Sequence, residues 1–137
     1  MKEGETIKGG PWDGFRVVSV YTRAQAIADG VLISGNVGEL EEVSCQHFKF
    51  PIAMTAAVFE IIKRAVENPQ ACNSYKGVWH DVLWMSRAYS QVVDECTRLF
   101  QVKITTPDRK SLYQFKIVCS GGDHGEPVLT VMLPEED

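Results

Sequence analysis

The chain has 137 residues, 45% of them hydrophobic, enough for one packed core and short for two independent ones. Its 18 acidic and 14 basic side chains leave a formal charge of -4, which opposes nonspecific attraction to phosphate backbones or anionic lipid. Nothing approaches the roughly 20 consecutive apolar residues of a membrane span, so no membrane partner is expected.

Residues 1–14 carry Gly4, Gly9, Gly10, Pro11 and Gly14 and read as a flexible arm, with Trp12 as its one anchor to the body. Residues 15–137 then form a single α+β domain. Phe15, Val17, Val18 and Val20 make residues 15–21 a short β-branched strand. Thr22 is placed to cap a two-turn helix over residues 23–29, and Gly30 supplies the left-handed conformation that ends it. So short a helix gains stability mostly from packing Ala24, Ile27 and Ala28. Residues 31–34 continue extended, and residues 36–47 hold another short helix.

Phe50-Pro51-Ile52 reads as the entrance to a stronger helix, in which Met54, Val58, Ile61, Ile62 and Ala65 recur at three- and four-residue steps. Asn68-Pro69 stops it, and residues 70–77 form a polar connection. Over residues 78–99, Val78, Val82, Met85, Tyr89, Val92, Cys96 and Leu99 trace a longer stripe, which predicts one continuous helix. Trp79, Leu83 and Trp84 widen its apolar sector. Trp79 and Tyr89 belong with the core, whereas Trp84 leaves the stripe and is expected to be exposed.

From residue 100 the period changes to two. Phe100, Val102 and Ile104 alternate with polar residues, as do Tyr113, Phe115, Ile117 and Cys119, and then Leu129, Val131 and Leu133. The expected fold is therefore α+β: a C-terminal three-stranded antiparallel sheet, residues 15–21 as a candidate fourth strand, and two main amphipathic helices packed on one face.

Three segments carry a resemblance: Tyr21 to Leu32 (YTRAQAIADGVL), Trp79 to Met85 (WHDVLWM) and Cys119 to Pro134 (CSGGDHGEPVLTVMLP), with Phe50 to Thr55 between the first two. In this order they resemble an uncharacterised domain-of-unknown-function family encoded on bacterial plasmids, integrated elements and phages. The resemblance runs from about Val17 to the C-terminus. It implies an accessory protein of a mobile element that acts on host machinery, and it carries no catalytic residues over. His80 interrupts a direct Trp-Asp pairing, which puts a fixed role for Trp79 or Asp81 in doubt, and residues 68–77 are compact.

No motif compels a chemistry. Asp123, His124 and Glu126, in a loop with Gly121, Gly122 and Gly125, could exchange protons or hold a cation. A solvated β connection explains the same composition. Cys45, His47, His80, Cys96, Cys119 and His124 could converge on zinc, yet no paired-ligand spacing supports it, so neither a metal nor another cofactor is expected. Cys96 and Cys119 in apolar stripes read as small buried hydrophobes. With no signal-like start, the four cysteines read as reduced thiols of a cytoplasmic protein.

Trp84 and Arg87 are the residue types that anchor protein interfaces, and Tyr21 and Arg23 could present a second recognition edge. Lys103, Arg109, Lys110 and Lys116 make one hairpin basic, without the aromatic platform that single-strand binding uses. The function expected is a non-catalytic accessory protein that binds a host protein, plausibly to inhibit defence or nucleic-acid-processing machinery. The alternatives are a small hydrolase or nucleotide-binding enzyme using the 121–126 loop, and a DNA-binding accessory protein.

Overall fold

The computed structural model describes residues 21–107 and 111–136. Four helices and six strands occur among them: α1 (Arg23–Ala28), β1 (Leu32–Ser34), α2 (Leu40–His47), β2 (Ile52–Thr55), α3 (Ala56–Val66), α4 (Tyr75–Ala88), β3 (Ser90–Val92), β4 (Thr97–Lys103), β5 (Leu112–Gly121) and β6 (Pro127–Met132). The class is α+β as expected, but the sheet is not a three-stranded C-terminal one. It is a six-stranded mixed sheet in the order β1-β2-β6-β5-β4-β3. The arm at residues 1–14 lies outside the described residues, as does all of the candidate strand at residues 15–21 except Tyr21.

The expected sheet left out β1, read only as an extended segment over residues 31–34, together with β2 and β3, and the last two were hidden for different reasons. Residues 52–55 were expected inside a helix with Met54 on its stripe. Instead Ile52, Ala53 and Met54 form a central strand, parallel to β6, with Ile52 opposite Leu129 and Met54 opposite Val131. All three are buried. A strand covered on both faces has no polar alternation to show its period, and a short apolar run of this kind reads equally as helix. The helix begins only at Ala56, where Thr55 accepts from Val58 N as its N-cap.

The continuous helix over residues 78–99 is likewise corrected. Helix α4 ends at Ala88, and the chain turns back through β3 into β4, pairing Ser90 with Phe100 and Val92 with Arg98. The turn is closed by Val93 N donating to Thr97 O and by the Asp94 carboxylate accepting from Cys96 N at 2.8 Å. Val92, Val93 and Thr97 are β-branched and suit extended backbone. Their spacing against Cys96 and Leu99 happened to continue a helical period. Tyr89, expected in the core, therefore sits at the helix end with 70% of its surface exposed. Cys96 is exposed in the turn and Cys119 is half-buried, so neither is the sealed thiol expected.

Helices α2, α3 and α4 cover one face of the sheet. Their inward side chains, among them Val43, Ile62, Trp79 and Leu83, form one core with Phe100, Phe115, Ile117 and Val131. Trp79 is fully buried, and its indole Nε1 donates to Ser44 Oγ at 2.8 Å, which in turn donates to Gly35 O at 2.6 Å. A Cβ at Gly35 would approach Trp79 Cζ2 to 3.0 Å, so this position needs glycine for close packing.

Helix α1 lies on the opposite face, where Arg23 reaches Thr130 of β6. Its span and caps form as the sequence indicates, but the residue it buries is Ala26, whereas Ala24, Ile27 and Ala28, expected to pack, are exposed, because so short a helix turns only one narrow side to the sheet. Thr22 accepts from Gln25 N, the Gln25 side chain accepts from Thr22 N, and Gly30 follows with φ 78°. Among the described residues, no helix is long and apolar enough to cross a membrane.

Candidate functional site

Helix α4 places His80, Trp84 and Arg87 at steps of four and three residues, which aligns them along one outward stripe. The inward positions Val78, Trp79, Val82, Leu83 and Ser86 are all buried, so this stripe is the side that the core leaves over. Trp84 has half of its surface exposed, as its departure from the apolar stripe indicated, while Trp79 is sealed. The same residue type thus takes opposite roles five positions apart.

The last turn of α2 brings His47 to this stripe. Its imidazole meets the His80 ring at a centroid distance of 4.9 Å and the Trp84 ring at 6.4 Å, both in T-shaped geometry. The His80 and Trp84 rings lie nearly parallel, 6.5 Å apart. Arg87 Nη1 lies 3.3 Å from His47 Nδ1. A guanidinium only donates, so Nδ1 must be the bare, accepting nitrogen and the proton of the neutral ring sits on Nε2. That Nε2 is buried and has no hydrogen-bond partner among the described residues. Burial first, then the positive potentials of His80 and Arg87, hold the His47 pKa below its ordinary value.

The neighbourhood therefore combines a half-exposed indole, two imidazoles and a guanidinium on two helices. The helices are joined further along by the Lys76–Glu42 ion pair at 3.3 Å. His80 also lies 3.8 Å from Asp81. Such a surface offers flat apolar rings for packing and a cationic fork for a carboxylate. Two of its members, Trp84 and Arg87, were legible as interface types. His47 and His80 were weighed only for zinc, because the sequence does not show that two helices meet there.

Tyr21 and Arg23 lie elsewhere, on α1 and its approach. The Tyr21 hydroxyl donates to Asp29 at 2.7 Å, which raises the phenol's pKa. Arg23 is part-buried, and its guanidinium donates to Thr130 Oγ1 at 2.8 Å and Leu129 O at 2.7 Å. Burial lowers its pKa, against the opposing pull of Asp123 and Glu126.

The structure joins Arg23 to the 121–126 loop. The Asp123 carboxylate accepts from Arg23 N at 2.7 Å and Ala24 N at 3.1 Å, the first open amides of α1. These two backbone bonds hold its pKa below the ordinary value. Glu126 Oε2 accepts from His124 N at 2.9 Å, and Gly125 takes φ 80° to close the hairpin between β5 and β6. Both carboxylates are thus engaged by backbone donors.

Of the dispersed zinc candidates, His47 meets His80, and Cys96 stands opposite Cys119, as two pairs. Among the described residues, no three His, Cys, Asp or Glu side chains gather as a metal-ligand set. Arg109 and Lys110 of the basic hairpin lie outside the described residues.

A family model describing a family of unknown function (DUF6573) matches residues 11–137. The chain belongs to this family. No curated protein and no solved structure matches it.

Proposed function

We propose that this protein is a non-catalytic binding module that docks on another protein through Trp84, Arg87, His80 and His47. The observation that carries the reading is the half-exposed Trp84 ring flanked by a pair of contacting imidazoles, one of which meets the Arg87 guanidinium, on a helix whose other tryptophan is fully buried. Exposed aromatic and Arg side chains that neighbours already hold in place lose little entropy on binding, and such residues dominate interface energetics. The chemistry fits a partner segment with an apolar side chain for the indole and a carboxylate for Arg87.

The finer reading, an accessory protein of a mobile element that acts on a host defence or nucleic-acid-processing protein in the cytoplasm, rests on the resemblance of the three segments. Enzymatic use of the 121–126 loop has less support, because Asp123 and Glu126 accept backbone amides. DNA binding through Lys103 and Lys116 lacks an aromatic platform.

The test is quantitative recovery of partners from a bacterial lysate by the wild type, Trp84→Ala and Tyr21→Ala, each confirmed as folded. Trp84→Ala is expected to lose a partner by at least about 30-fold, the scale of a central aromatic anchor. Tyr21→Ala, on the other face, is expected to keep it. Equal recovery by all three chains removes the surface from consideration.

A further inference from the structure

We infer that Cys96 and Cys119 form an oxidisable dithiol, closed to an intrachain disulfide by exchange with a small-molecule disulfide such as oxidised glutathione. The register sets this up. Strands β4 and β5 pair Thr97 with Val118, and Cys119 N donates to Cys96 O at 2.8 Å one rung further on. The two cysteines are therefore directly opposed across an antiparallel ladder. Opposed residues project to the same face, and the Cα separation at a hydrogen-bonded rung is about 5.5 Å. That separation lies inside the Cα range a disulfide spans, but Cβ atoms at a hydrogen-bonded rung stand about 5.5 Å apart against roughly 4 Å in an unstrained bridge, so closure also draws the two strand ends together, at a rung where Cys96 N turns away to Asp94 Oδ1.

The surroundings give each thiol a part. Cys96 is exposed at the β3–β4 turn and Cys119 is half-buried. Both line a groove of about 300 Å³ whose apolar walls include Phe48, Phe50, Ile117 and Leu129. The groove lies where the helices stop covering the core face, so a small reagent reaches Cys96 from solvent. Cys45 and Cys72 sit in a helix and a helix connection, and neither faces another cysteine across a ladder.

The exchange balances in two steps. The Cys96 thiolate attacks one sulfur of the reagent, whose S–S bond breaks, and one reagent thiolate leaves. The Cys119 thiolate then attacks Cys96 Sγ in the mixed disulfide and displaces the second reagent thiolate. Two protein thiols are oxidised by two electrons, the reagent disulfide is reduced to two thiols, and the cysteine protons end on those leaving groups. Opposed placement makes the second step intramolecular, which favours it strongly over capture of a second reagent molecule.

The test uses the full chain with Cys45→Ser and Cys72→Ser, so that only the opposed pair remains, treated with excess oxidised glutathione at mildly alkaline pH. Alkylation and a non-reducing peptide map are expected to show the Cys96 peptide linked to the Cys119 peptide in a monomer, reversed by dithiothreitol. The oxidised form is expected to melt at a higher temperature than the reduced one, because the link restricts the unfolded chain. In the wild type, Cys45 and Cys72 are expected to carry glutathione singly. Separate glutathione adducts on Cys96 and Cys119, a link between two chains, or two unreacted thiols would each overturn the inference. If the double-serine chain does not fold, the same peptide map on the wild type decides the matter.

Discussion

Two corners of the molecule concentrate functional-looking side chains, and they use them in opposite ways. Where α1 meets the β5–β6 loop, Arg23, Asp123 and Glu126 bond to Thr130, Leu129 O and the amides of Arg23, Ala24 and His124. Where α2 meets α4, Trp84 keeps half its surface in solvent and His47 Nε2 has no partner among the described residues. Composition marks both corners equally. What separates them is whether the polar groups are already satisfied by the fold, since a committed group has little left to offer a ligand.

The largest expected effect sharpens this contrast on a single helix. Trp79→Ala removes a fully buried indole and leaves Ser44 without its donor, and is expected to cost about 3–5 kcal/mol in denaturant unfolding. Trp84→Ala, five residues on, is expected to change stability by no more than about 0.5 kcal/mol, as for a surface position. If the two costs were similar, the division between a sealed and an offered face of α4 would fail.

A smaller effect follows from pH. His47 has its folded pKa below the ordinary 6.5, so between the two values the unfolded chain binds a proton that the folded chain does not. This makes folding less stable as pH falls from about 6.5 toward the folded value, and neutral in this respect above 6.5. Protonation also puts a hydrogen on Nδ1, facing Arg87. Thermal unfolding between pH 7 and 5 is expected to show a declining Tm that His47→Gln flattens; an unchanged slope in the variant would mean that another group sets it.

The smallest effect belongs to the satisfied corner. Asp123→Asn keeps an acceptor for the open amides of α1 but removes the charge, so a modest loss of Tm at neutral pH is expected, with partner recovery unchanged. The lowered pKa of Asp123 puts its contribution above the ordinary 3.8, to be lost as pH drops through that value toward the folded one. The Asp123→Asn difference in Tm should therefore vanish in strong acid. Loss of partner recovery would show that this corner is not merely structural.

Local signals were legible wherever a residue acts on its own neighbours. Thr22 and Gly30 delimit α1, and the alternation around Phe115 and Ile117 gives β5. Trp84 was separable from Trp79 because helical spacing alone decides which one leaves the buried stripe. The signals that failed needed tertiary knowledge. Ile52-Ala53-Met54 shows no alternation because Ile52 and Met54 enter the core under the helices while Ala53, on the other side, is buried as well, and Val92, Cys96 and Leu99 mimicked a helix across a hairpin turn. The candidate site was half visible for the same reason: α4 announces Trp84 and Arg87, but only the packing of α2 delivers His47.

The parallel pairing of β2 with β6 joins Ile52 to Leu129, strands separated by most of the described chain. During synthesis β2 lacks this neighbour until β6 has been made. Non-local pairing of this kind slows folding and exposes an apolar strand meanwhile. Completion of the sheet thus follows the synthesis of β6, and nascent chains halted before Pro127 should remain protease-sensitive.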